Sequence, residues 1–243
     1  MSEAESKTID GATEVLNARG KIGRIFLSGN GIEVGPGDRP FPLPPFAQIS
    51  YGDIRKEEAL ENYFKTAGLP IVQEIDAQTF AGIDNDCLDF VISAHVIEHL
   101  RDPIGSIVNA IRVLRVGGIH ILIVPDMRYT FDRNRPETTV EHVLTDFADG
   151  GVSTCRNAYE EHLRYVHPYL TGETYSEADI QRHADENVRH WRAFDCHFHA
   201  WSQAGFEALL EATKEFAAFK VEATVFVVNE NIFVLRKLAG IGT

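Results

Sequence analysis

Histidine is the side chain whose ordinary pKa lets it take up a proton near neutral pH, and eight of the ten histidines lie from position 120 onward. Among them, His142 stands four residues before Asp146. Thr138-x-x-Glu141 is a capping-box pattern that would start a helix here. The two side chains would then share one helical face, where a carboxylate orients the ring and stabilises its protonated form. His142 is therefore the candidate general base and Asp146 its partner; the plain alternative is a solvated surface histidine. His197 and His199 flank Phe198, and in an extended segment they would point to one face at a spacing suited to metal or ligand contact. The alternative is two packed rings hydrogen-bonded to the backbone. Asp126 and Asp132 offer the oxygen ligands that Mg²⁺ prefers. Arg128, Arg133 and Arg135 make a positive strip, able to recognise an anionic group or to pair with Glu137 and Glu141.

A second constellation lies early in the chain. Glu33-Val34-Gly35-Pro36-Gly37 ends an extended run, Ile32 to Val34, in a turn whose glycines let backbone pass close to a ligand. An acid before such a turn suits a ligand bearing a cation or hydroxyls. A phosphate-led ligand would call for Gly-x-x-x-x-Gly-Lys-Ser/Thr, which is absent. Taken alone, an ordinary tight turn explains the motif equally well.

The elements that must position these residues follow from periodicity. Asp10 to Ala18 reads as a short helix after a loose tail. Ile22 to Leu27 reads as the approach to a strand, broken by Ser28-Gly29-Asn30-Gly31. Four prolines within residues 40–45 exclude helix there. Ala47 to Tyr51 reads as a strand reaching Gly52-Asp53, Glu57 to Ala67 as a helix, and Ile71 to Ile75 as a strand closed by Asp76-Ala77. Leu88 to Ala94 and Ile119 to Val124 are buried strands around a helix, Pro103 to Leu114, that Gly117-Gly118 would end. Near-continuous apolar strands alternating with helices predict a mainly parallel sheet covered on both faces. Ser202 caps a further amphipathic helix, and Val221–Val228 with Ile232–Leu235 predict a closing antiparallel hairpin. Residues 127–196 break the rhythm and predict a helical cap over the carboxyl edge of the sheet.

Composition narrows the partners. The 243 residues carry a formal charge of −13, with 44% hydrophobic and 24% charged residues. That acidity disfavours nucleic acid and anionic membranes as partners, and no apolar run approaches the length of a membrane span. Met1 to Asp10 lacks the pattern of a secretory signal. Cys87, Cys155 and Cys196 form no Cys-x-x-Cys, so a cytoplasmic location is the expectation.

The ordered set Glu33-Val34-Gly35-Pro36-Gly37, Asp53, Asp76-Ala77, Leu88 to Ala94, His95 to Leu100, Arg112-Val113-Leu114, Gly117-Gly118 and Val124-Pro125-Asp126 resembles the class I S-adenosylmethionine-dependent methyltransferases over nearly the full chain. Asp38-Arg39-Pro40 departs from the third glycine of the commoner Gly-x-Gly-x-Gly form. The resemblance implies an α/β, Rossmann-like sheet in a single domain, 1–243, with residues 127–200 as an inserted substrate cap. It implies S-adenosylmethionine as cofactor: Glu33, Gly35 and Gly37 at the amino-acid part, Asp53 on the ribose, Asp76 and Ala77 at the adenine, and His95 facing the cofactor. Glu98 and His99, tempting with His95 as a metal trio, are read as holding the local turn together. Tyr129 to Pro136 and His197 to Trp201 further resemble the branch that methylates bacterial sugars and glycans, with a mycobacterial-type sugar O-methyltransferase as one named candidate. From this follow an O-methyltransferase acting on a saccharide or oligosaccharide hydroxyl, Mg²⁺ at Asp126 and Asp132 as an optional aid, and Arg128, His197, His199 and Trp201 as acceptor contacts. Trp191 is a second candidate sugar platform, and a homodimer is left open. The rival readings are a methyltransferase acting on a phenol, carboxylate or nitrogen, and a cofactor-binding module that has lost catalysis. A dehydrogenase is disfavoured because Gly-x-Gly-x-x-Gly is absent.

Overall fold

The computed structural model of the chain describes residues 3–70, 72–190 and 196–239. Seven strands form one sheet: β1 (Gly29–Val34), β2 (Ala47–Asp53), β3 (Val72–Glu74), β4 (Leu88–Ala94), β5 (Leu114–Pro125), β6 (Phe219–Val227) and β7 (Glu230–Lys237). Their order is β3-β2-β1-β4-β5-β7-β6. The pairs β3–β2, β2–β1, β1–β4 and β4–β5 are parallel, and β6 runs antiparallel to β7. The expected mainly parallel sheet with a closing hairpin is therefore present.

The chain divides into two compact units, one of Met1–Val96, Asn109–Val124 and Ala217–Thr243, the other of Ile97–Val108 and Pro125–Phe216. In the first unit, strand alternation sends Phe90 and Ile92, Ile119, Ile121 and Ile123, and Ile232 and Val234 into one buried cluster with Ile22, Leu27 and Phe41. Gly31 sits against this layer, and a Cβ there would lie 2.2 Å from the Phe90 ring. Glycine is thus what lets β1 pack on β4.

Several local expectations fail here. Helix α1 spans Glu3–Phe26, so the predicted strand approach from Ile22 is helical. Val15, Arg19, Ile22 and Phe26, spaced four, three and four apart, are among its buried or half-buried positions, which is helical periodicity. The apolar triplet Ile25-Phe26-Leu27 mimicked a strand because it straddles the helix end. Strand β1 then begins at Gly29, so Ser28 to Gly31 do not interrupt an earlier strand. Likewise Gly117-Gly118 do not terminate a helix. Helix α3 (Pro103–Val113) passes directly into β5, which contains both glycines. Helix α2 (Glu57–Phe64) ends three residues early, at Lys65 in a left-handed conformation with φ +53°.

The second unit is helical. Two 3₁₀ turns, Met127–Tyr129 and Phe131–Asn134, are capped by Asp126 and Thr130. Helices α4 (Val140–Asp149), α5 (Cys155–Glu161), α6 (His167–Thr171), α7 (Glu177–Arg189) and α8 (Gln203–Thr213) follow, with one π-helical stretch at His162–Val166. Cys155, Tyr159, Leu163, Ile180, Ala184, Cys196 and Phe198 form a core shared by α5, the π-helical stretch, α7 and the segment before α8. Ser202 caps α8 as predicted, its hydroxyl oxygen accepting from the Gly205 amide. Among the described residues no helix is long and apolar enough to cross a membrane.

Candidate active site

The strand order reverses between β1 and β4, and in open α/β sheets ligands settle beyond the carboxyl ends of the strands at that point. The chain leaves β1 with Gly35 at φ +64° and Gly37 at φ +54°. A Cβ on Gly35 would stand 2.6 Å from Val96 Cγ2, so both conformation and space demand glycine. Glu33 is turned into the protein: its two carboxylate oxygens accept from the Phe41 amide at 3.1 and 3.0 Å. It thereby fastens the proline-rich loop beside the turn. Burial pushes the Glu33 carboxyl up to about 7, with the Phe41 bond and Arg19 pulling the other way.

The remaining strand ends carry the other candidates. Asp53, the last residue of β2, accepts from the Arg55 amide at 2.8 Å. Asp76, just past β3, accepts from the Gln78 amide at 2.8 Å and so shapes the turn that contains Ala77. His95 follows β4 with φ +54°, and its Nε2 lies 2.8 Å from Glu230 Oε1. Glu33, Gly35, Gly37, Asp53, Asp76, Ala77 and His95 thus gather at the carboxyl ends of four neighbouring strands. Carboxylate acceptors beside a turn free of side chains suit a ligand with ribose hydroxyls, an exocyclic amine and a cationic tail.

Sequence reasoning missed Arg19 and Glu230. Arg19 donates to Glu230 through Nε at 3.1 Å and Nη2 at 2.7 Å. Burial works against the Glu230 charge, yet His95 and Arg19 hold its carboxyl below the usual range. The signal was a charged residue on the apolar face of α1, which only the full helix length reveals.

In the second unit, α4 starts one residue later than the capping box implied. Thr139 supplies the cap, its hydroxyl accepting from the His142 amide at 3.3 Å. The Thr138 hydroxyl instead accepts from the Ala200 amide at 3.0 Å. His142 Nε2 stands 3.4 Å from Asp146 Oδ2, with 27% of the His142 side chain exposed and none of Asp146. The same oxygen lies 2.8 Å from His199 Nε2, and the Thr154 hydroxyl donates to Asp146 Oδ1. Burial depresses the His199 pKa despite the carboxylate beside it, so His199 is a neutral ring donating through Nε2–H. Arg101, His142, Thr154, Cys155, Phe198 and His199 line a narrow cleft.

His197 turns to a different carboxylate. Its Nδ1 lies 2.6 Å from Asp132 Oδ2, while Asp132 Oδ1 accepts from Arg135 at 3.1 Å. Burial opposes the Asp132 charge, but His197 and Arg135 keep its carboxyl below the usual range. Arg135 also donates to the His197 and Phe198 carbonyls, at 2.7 and 3.1 Å. Asp126 is fully buried and takes a bidentate grip from Arg128, Nε to Oδ1 at 2.8 Å and Nη2 to Oδ2 at 2.7 Å. With guanidinium groups on both, Asp126 and Asp132 do not fit Mg²⁺. Trp201 is 1% exposed, stacked on His199 at 5.0 Å and edge-on to Phe206 at 5.2 Å. It is packed core, with no face turned to solvent. Trp191 lies outside the described residues.

Residues 35–122 match the family model described as a methyltransferase domain, a span running from the glycine turn into β5. No curated protein sequence matches the chain. Among solved structures it is similar to a putative methyltransferase from Bacillus halodurans, 13% identical, with a TM-score of 0.52 over 92% of this chain and 99% of that one. It is similar also to the YcgJ protein of Bacillus subtilis, 12% identical, with a TM-score of 0.51 over 93% and 98%. A third, described as a putative Zn-dependent alcohol dehydrogenase from Rhodobacter sphaeroides, is 10% identical with a TM-score of 0.54 over 89% and 86%. At such identities these likenesses speak for the fold alone, which is the Rossmann-like methyltransferase sheet. The matched span, residues 35–122, thus carries a methyltransferase domain.

Proposed function

We propose that this chain is an S-adenosylmethionine-dependent methyltransferase, that it acts on a hydroxyl oxygen of a saccharide or glycan precursor, and that residues 127–200 supply the acceptor-binding segment. The observation that carries the reading is His142, a partly exposed imidazole backed by the fully buried Asp146 carboxylate at 3.4 Å. A sugar hydroxyl is a poor nucleophile while protonated and needs a base, whereas amines and carboxylates need less help. With Nε2 turned to Asp146, His142 keeps Nδ1 for the proton of the acceptor, and Asp146 balances the imidazolium that results. The bound cofactor supplies an electrophilic methyl on a sulfonium. Gly35 and Gly37 would admit its amino-acid part, Asp53 would accept from its ribose, and Asp76 with the Ala77 backbone would meet the adenine. The chain's main contribution is alignment of donor and acceptor.

Exposed aromatic faces support a ring-shaped polar acceptor. Tyr129 and Tyr169 are 56% and 47% exposed, and Arg128 and Arg133 lie over them at 5.5 and 4.7 Å. Such half-exposed rings, each with a guanidinium over one face, suit hydroxyl-rich or anionic sugars. The test is transfer of labelled methyl from S-adenosylmethionine across a panel of glycans, phenols, carboxylates and amines, alongside calorimetry with S-adenosylhomocysteine. Methylated sugar is expected. Efficient transfer only to a phenol, carboxylate or amine would overturn the saccharide assignment, and cofactor binding without transfer to any acceptor would favour a silent module.

A further inference from the structure

We infer that Glu98, His99 and His197 form a site for a divalent first-row metal ion such as Zn²⁺, separate from the base pair at His142. One donor atom from each of the three lies within 4.8 Å of the other two, and Glu98 and His197 are buried. Two imidazoles and one carboxylate are a ligand set that zinc and similar ions take, with a further position open to water or substrate. Mg²⁺ prefers oxygen ligands throughout.

The tautomers favour a cation here. His99 Nδ1 lies 3.2 Å from the Cys196 carbonyl, and a carbonyl only accepts, so that nitrogen carries the hydrogen. His197 Nδ1 faces the Asp132 carboxylate at 2.6 Å, which likewise only accepts. In that tautomer of each ring the lone pair is on Nε2, and the carboxylate of Glu98 adds a third electron-pair donor to the same cluster. A carboxylate or backbone carbonyl on the far nitrogen is the outer-shell support that metal-bound histidines use to fix orientation and basicity. Arg135, in turn, anchors Asp132 at 3.1 Å. Backbone bonds brace the arrangement, since the Phe198 and His199 amides donate to the Glu98 carbonyl at 2.8 and 3.2 Å.

The other trio, His142, Asp146 and His199, also meets the 4.8 Å spacing, but there both rings direct Nε2 at one carboxylate oxygen. The Asp146 carboxylate is already engaged by His199 and Thr154. The two clusters thus divide the labour, one holding protons and the other a metal.

The experiment is titration of the chelator-treated full chain with Co²⁺, read by visible absorption, and with Zn²⁺, read by calorimetry. One equivalent should bind, with loss of affinity of at least tenfold in Glu98→Gln and His197→Ala. Asp132→Asn should cost about 10–100-fold, as lost outer-shell partners do, and His142→Ala should bind as the parent does. No saturable binding, or binding indifferent to Glu98→Gln and His197→Ala, would overturn the assignment. Should those variants fail to fold, a Zn²⁺-soaked crystal of the parent chain decides by anomalous scattering. A peak within bonding distance of Glu98, His99 and His197 supports the site, and a crystal without one there overturns it. Since no turnover is measured, this outcome is independent of the methyl-transfer reading.

Discussion

Asp146 Oδ2 lies 2.8 Å from His199 Nε2, a closer link than the 3.4 Å between the same oxygen and His142. The carboxylate is therefore set by His199 and Thr154 before His142 makes any use of it. His199 is a positioning residue on this view, and His199→Ala should lower kcat about 10–100-fold, the scale of lost outer-shell support. The acidic limb of the pH–rate profile, where the His142 base takes up its proton, should also move, because Asp146 would no longer be fixed against the His142 ring. A fall in activity with an unchanged pH profile would reduce His199 to a packing role.

Replacing the base itself should be more severe. His142→Ala is expected to lower kcat by roughly 10²–10⁴-fold, the usual contribution of a general base. Affinity for S-adenosylhomocysteine should stay near the parent value, because the candidate cofactor residues all belong to the other unit. Rates like those of the parent in this variant would remove His142 from the mechanism.

Glu33 makes stability depend on pH in a definite sense. Burial raises its pKa from 4.5 to about 7 in the folded chain, so folding takes up a proton between those values. The favourable contribution of the protonated acid is complete below 4.5 and is lost as pH rises through 7. Relative to Glu33→Gln, the parent chain should lose up to about 3 kcal/mol of unfolding free energy between pH 5 and pH 8. Parallel curves from denaturant melts of the two proteins would refute the buried-acid account.

Gly31 tests the packing of the central strands. A methyl group there would meet the Phe90 ring at 2.2 Å, and Phe90 is fully buried. Gly31→Ala should cost roughly 1–3 kcal/mol, the range for overpacking a filled core, measured as a shift in the urea midpoint at unchanged slope. A neutral result would mean that β1 and β4 separate more readily than the sheet suggests.

Much of the sheet was legible because parallel strands buried on both faces announce themselves as apolar runs. Leu88 to Ala94 and Ile119 to Val124 were unambiguous for that reason, and the Gly35–Gly37 turn fixed where β1 must end. The first helix was misread because its buried face carries Arg19 among Val15, Ile22 and Phe26, and a charge in an apolar stripe hides the period. The pairing of His142 with Asp146 follows from helical spacing, and that proximity was readable. The partners of His197 and His199 were not, since Asp132 and Asp146 lie 65 and 53 residues away in the chain. Glu98 and His99 looked like mere turn residues for the same reason: their third companion, His197, arrives from a distant segment. Trp201 was offered as a platform for sugar, but a large aromatic is at least as useful filling a core, and here it does so.

Glu230 is gripped from two sides, by Arg19 at 2.7 Å and by His95 at 2.8 Å. The opening helix is therefore wired to the tip of the fourth strand through a shared acidic relay. A protease cut ahead of residue 20 would strand that acid beside an imidazole alone, at a cost of about 3–5 kcal/mol for a severed interior ion pair. Damage at the very front of the chain would then be felt at the strand-end rim that carries His95, far along the sequence.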